Sequence, residues 1–183
     1  MEKKLFIMLL FFGPTWLAVG QSLYRTTEGH IVMVAEIDDE KIIAESHKLF
    51  LVLDYNTKEI SGRLNIKTMN TGIGYLNEQI NNVADEESLI SFTGMIPAED
   101  FISQPHLPIS FSWPLKVIVG SRTFEVILSG NLKHFNGGEA IACRLSATGD
   151  VDTNEIGLKS ILPEIGKTLK IQFTQVILRK NEL

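Results

Sequence analysis

The chain has 183 residues, 44% hydrophobic and 21% charged, with 17 Lys and Arg against 22 Asp and Glu and a net charge of −5. There is no basic stripe, which argues against nucleic acid as a partner and against a polybasic membrane-surface patch. The only cysteine, Cys143, cannot form an intramolecular disulfide, so an ordinary hydrophobic core must hold the fold.

Residues 1–20 read as a cleavable export signal. Lys3 and Lys4 form a basic start, Leu5 to Phe12 is unbroken apolar sequence, and Gly13-Pro14 ends it. Ala18-Val19-Gly20 supplies small residues for cleavage after Gly20. A membrane-spanning helix would need about 20 apolar residues. Residues 21–183 are then expected to form one exported domain with no transmembrane span. The periplasm is the first expectation for its location and secretion the second.

Along the rest of the chain the dominant pattern is period-2 alternation, which signals strands with one buried and one wet face. Strands are expected at His30–Ile37, Lys48–Leu53, Ile60–Lys67 and Leu89–Ile96. Asp54–Lys58 is a turn. Tyr75–Val83 reads as a short helix with Tyr75, Leu76, Ile80 and Val83 on one side. Ile109, Phe111, Trp113, Leu115, Val117 and Val119 share one parity, across Pro114, which implies a bulge, an edge or a break. Phe124–Leu132 alternates with Ile127 the exception. Phe135–Glu139 contains the hairpin signal Asn136-Gly137, and Ala140–Thr148 follows as a strand. Ser160–Gly166 is expected to make one helical turn ended by Gly166, before a strand from Leu169 to Thr174. These elements predict an all-β fold, a single antiparallel barrel of about eight strands with one or two short helices.

Chemistry-bearing motifs are scarce. The spacing of His30, His47, His106 and His134 matches no hydrolytic zinc motif. Asp150-Val151-Asp152-Thr153-Asn154 begins like a calcium loop, but Glu155 and Ile161 stand where glycine and glutamate are needed, so an Asx-turn loop is the simpler reading. No nucleophile elbow, phosphate loop or dinucleotide fingerprint is present. Cys143, in an apolar run, reads as a buried, inert thiol. From alternation alone, the large inward side chains fill a core before they line a cavity.

Several short segments resemble the YceI-like family of exported, lipocalin-like barrels. Gly29-His30-Ile31 and Ile42-Ile43-Ala44-Glu45-Ser46 resemble its first strand and the continuation. Leu53-Asp54 to Ile60 resembles its aspartate turn, and Ile66–Gly72 into Leu76-Asn77-Glu78-Gln79 its strand-to-helix passage. Asp100-Phe101 with Leu107-Pro108-Ile109-Ser110-Phe111 is similar to its proline-phenylalanine signature, although Gln104-Pro105-His106 replaces the usual charged stretch. Either Ile109–Phe111 or Ile90–Gly94 is the counterpart of that strand. Gly130-Asn131-Leu132, Ile156-Gly157-Leu158, Leu162-Pro163 and Leu169–Leu178 complete the likeness.

The resemblance implies a barrel enclosing a polyisoprenoid chain. The expectation is a binding protein for a lipid or isoprenoid tail, with no cofactor and no bound metal. Its ligand-facing residues would be Leu64 and Ile66, then Phe92, then Ile109, Phe111 and Trp113, then Phe124, Val126 and Leu128, and finally Ile171 and Phe173. The alternative is a packed barrel acting in envelope stress or protein interaction through loop residues such as Phe101 and Ile102. Enzymatic activity is not expected. Glu45, His47 and His106 would be its first candidates.

Overall fold

The computed structural model describes residues 23–97, 107–135, 142–160 and 162–180. The expected export signal, Phe101 and Ile102, His106, and the Asn136-Gly137 turn lie outside those residues.

Eight antiparallel strands close into a barrel in chain order. They are β1 (Leu23–Ile37), β2 (Glu40–Asp54), β3 (Glu59–Asn65), β4 (Leu89–Met95), β5 (Ile109–Val119), β6 (Arg122–Phe135), β7 (Ala142–Asp152) and β8 (Thr168–Lys180). β8 pairs back onto β1, so the sheet has no free edge. Two short helices, α1 (Gly74–Asn81) and α2 (Asp85–Ser88), cross one end between β3 and β4. Among the described residues no helix is long and apolar enough to cross a membrane.

Alternation decides which face is inside. Ile60, Gly62 and Leu64 point inward on β3, and Val126, Leu128, Gly130 and Leu132 on β6. Ile127, the residue that broke the pattern, faces solvent at 66% exposure. Both Ile90–Gly94 and Ile109–Phe111 belong to strands. Pro114 neither breaks nor bulges β5. The β4–β5 ladder ends at Gly94–Leu115, and the Pro114 carbonyl lies against Gly94. A strand residue's N and O point the same way, so the missing N–H faces the place where that ladder has stopped.

β1 and β2 are each 15 residues long, far longer than the alternation predicts. Register shifts explain the shortfall. β1 carries one extra residue between the Thr26–Leu51 and Gly29–Leu49 pairs, and β2 one extra between Gly29–Leu49 and Ile31–Ser46. Each bulge flips the parity of the residues beyond it. β8 has a similar shift opposite Leu145 and Ala147.

Three other expectations need correction. β3 stops at Asn65, whose side-chain oxygen accepts from the Lys67 N–H and starts a 3-10 turn. Tyr75 is 58% exposed, while Leu76 on α1 is buried, so α1 points only part of its apolar residues at the barrel. The helical turn expected at Ser160–Gly166 is instead a 3-10 turn at Leu158–Ser160. Gly166 serves close approach: its N–H donates to the Glu36 carbonyl at 2.6 Å.

Candidate functional site: an apolar chamber under the helical end

The interior divides into two halves. Toward the Leu23 and Lys180 end, Leu49, Leu51, Leu53, Leu132, Leu145 and Leu178 are fully buried and fill the barrel. Cys143 lies among them, and burial pushes its thiol up to about 12, which makes it unreactive near neutral pH. Tyr55 packs edge-on against Tyr24 and hydrogen-bonds His134 Nε2. Burial lowers the His134 pKa below the usual imidazole range.

An aromatic layer separates this half from the other. Phe173 stacks on Phe92 with centroids 5.6 Å apart, and Trp113 meets Phe173 edge-on at 6.0 Å. Gly62 makes room for it: a side chain there would start 2.2 Å from the Phe92 ring. The Trp113 indole N–H is buried with no hydrogen-bond partner among the described residues, a cost of about 1–3 kcal/mol.

Above that layer lies a cavity of about 140 Å³. Leu64, Ile66, Phe92, Phe124, Val126, Leu128, Ile171 and Phe173 line it, as do Leu115, Val117, Ile31 and Met33. Among the described residues that line it, only Glu87 and Arg122 are charged. They pair at 3.6 Å, half-exposed. The Arg122 guanidinium also lies over Gly157, where φ is +70° and a side chain would start 2.0 Å from Arg122 Nη1. Glycine there lets the loop after β7 hold the arginine at the rim.

A second cavity, of about 110 Å³, lies beneath α1 among residues including Ile37, Ile42, Leu76 and Ile165. Met33, Ile66, Leu158 and Leu169 line both cavities. The two are therefore neighbouring chambers with one shared apolar wall.

Eight of the eleven residues expected to face a ligand line the first chamber. Ile109, Phe111 and Trp113 do not. Phe111 is half-buried and lies over Gly130, and Trp113 stands on the packed side of the aromatic layer. Leu115, Val117 and Val119 on the same strand take their place. All six share one parity, so alternation places them inside without telling which end of β5 meets the void. Loop residues Ile156 and Leu158 carried no alternation signal at all.

The calcium-like stretch is the end of β7 running into a turn. Asp152 Oδ1 accepts from the Asn154 N–H at 2.8 Å, and this contact, with Lys167 nearby, holds the Asp152 carboxyl below the usual range.

No family model and no curated protein sequence matches the chain. Solved structures do. A polyisoprenoid binding domain from Saccharophagus degradans, described as implicated in plant cell wall breakdown, superposes with a TM-score of 0.66. It is 11% identical, over 88% of this chain and 99% of that one. The fold is the YceI-like barrel. The YceI protein of Campylobacter jejuni is similar over 100% of both chains, at 12% identity and a TM-score of 0.51. Identities this low speak for a shared YceI-like architecture and leave the residues at the chamber to be read on their own.

Proposed function

We propose that this protein is an exported binding protein that holds a lipid or polyisoprenoid tail in the helical half of its barrel. The observation that carries the proposal is the pair of apolar chambers with a common wall. A tail entering past Glu87 and Arg122 meets apolar side chains throughout the first chamber and, among the described residues, one hydroxyl, that of Thr71, in the second, and each buried CH₂ contributes roughly 0.8 kcal/mol. The superposable domain from Saccharophagus degradans, described as polyisoprenoid binding, supports the same reading, and the signal-like residues 1–20 support export.

Drug-sized ligands occupy roughly 300–1,000 Å³, more than either chamber offers. A long tail therefore has to open the shared wall. Met33 is suited to that, because an unbranched thioether side chain adapts at little cost. A polar head would remain at the rim beside Arg122, in reach of water.

The test is native mass spectrometry of the purified protein with organic extraction of its bound material. The expected result is an apolar chain at one per protein, and a thermal shift when the stripped protein is given a prenol. Neither copurified lipid nor a thermal shift with prenols or fatty acids would overturn the proposal.

A further inference from the structure

On the outer wall of the barrel, away from the chambers, two histidines and a carboxylate meet. One ligand atom from each of His30, Glu45 and His47 lies within 4.8 Å of the other two. We infer that these three residues form a binding site for a divalent transition-metal ion, with zinc the best fit.

The backbone builds the cluster. Glu45 and His47 stand two apart on β2 and share its outer face. His30 reaches them from β1, opposite the β2 bulge between the Gly29–Leu49 and Ile31–Ser46 pairs, a place where side chains are re-aimed. The two histidines stack with centroids 4.2 Å apart and planes 10° from parallel.

The distances fit the chemistry. Zinc bonds of about 2.0–2.2 Å to nitrogen and oxygen place neighbouring ligand atoms roughly 3.4 Å apart in a tetrahedron. His30 Nε2 and Glu45 Oε2 are 3.2 Å apart. His47 is exposed, so its ring is free to turn out of the stack and aim a nitrogen at the same point. Two imidazoles and one carboxylate suit zinc and related ions, and three protein ligands leave the fourth position to water.

A neighbouring residue orients the first ligand. Thr174 Oγ1 on β8 lies 2.7 Å from His30 Nδ1 and 3.5 Å from the His30 carbonyl oxygen. When Nδ1–H donates to Thr174, and the hydroxyl donates onward to that carbonyl, His30 Nε2 carries a lone pair toward Glu45 and His47. An oriented second-nitrogen partner of this kind is what metal-bound histidines use.

Isothermal titration of ZnCl₂ into the untagged protein tests the site, alongside His47→Ala, Glu45→Gln and Thr174→Val. His47 and Glu45 are exposed, and circular dichroism checks that each variant is folded. One zinc per chain is expected. Affinity should fall roughly tenfold or more in His47→Ala and Glu45→Gln, and about tenfold in Thr174→Val, where the orienting hydroxyl is lost. Absence of saturable binding, half a zinc per chain, or unchanged affinity in His47→Ala and Glu45→Gln would overturn the inference. None of these outcomes depends on whether the chambers hold lipid.

Discussion

The two halves of this barrel are made from the same eight strands and the same apolar residue types, yet one is full and the other hollow. Toward the Leu23 end the inward positions carry leucines from β2, β6, β7 and β8 at 0% exposure, with Trp113 closing the layer. Toward the helices the inward positions include Val117, Val126, Val151 and Ile171, beside larger residues such as Leu115 and Phe124. Valine reaches less far across a barrel of fixed width than leucine or tryptophan, and among the described residues no tryptophan or fully buried leucine cluster fills this end. At an eight-stranded diameter the choice between a filled interior and one that encloses a ligand rests on such differences in side-chain size. The comparison teaches that a barrel becomes a container where the side chains of opposite walls do not meet and a helical crossing covers the gap.

Substitutions that exchange the character of the halves test it. The largest effect is expected from Trp113→Ala. It removes the plug of the packed half and should cost about 3–5 kcal/mol, read from urea denaturation. Next come two matched enlargements. Val176→Phe, in the full half, should overpack and cost roughly 1–3 kcal/mol. Val126→Phe, facing the chamber, should leave stability nearly unchanged while abolishing uptake of an apolar chain. Equal costs for the two would erase the distinction between the halves.

A smaller effect belongs to the rim. Glu87 and Arg122 are both part-exposed, so Glu87→Gln should change stability by at most about 1 kcal/mol. Its measurable consequence should be a faster exchange of bound chain at low salt, because Arg122 keeps its contact at Gly157 but loses its ion pair. The smallest effect is a pH dependence confined to the packed half. His134 has its pKa lowered by burial. The unfolded chain therefore takes up a proton at a higher pH than the folded one, and the contribution is complete above about pH 6.5. It is lost as pH falls below that value toward the folded pKa. The urea midpoint should drop over this window in the native protein and drop less in His134→Gln.

Much of the barrel is legible in the sequence because a strand's two faces are written in alternate residues. Ile60–Leu64, Phe124–Leu132 and Leu169–Phe173 each announce their inward side, and the outward Ile127 stands out as the misfit it is. The signal weakens at bulges. β1 and β2 read as half their length because an extra residue near Glu28 and another near His47 reverse the parity part-way along. The same irregularities hid the outer-wall cluster. Glu45 and His47 sit at strand spacing, but His30 is brought to them only by β1–β2 pairing, 15 residues away.

The sequence by itself determined the all-β class, the inward parity of β3, β5, β6 and β8, and the inert setting of Cys143. These come from local chemistry: alternation, turn residues and a lone thiol in an apolar run. Only the tertiary structure decided which inward residues touch and which face a void. Ile109 and Val119 look alike in the sequence, yet Val119 lines the chamber and Ile109 does not. Whether a side chain meets a partner depends on the size of the residue that stands across the barrel, and on loops such as the one bearing Ile156 and Leu158. That is set by closure of β8 onto β1, which no stretch of the chain records on its own.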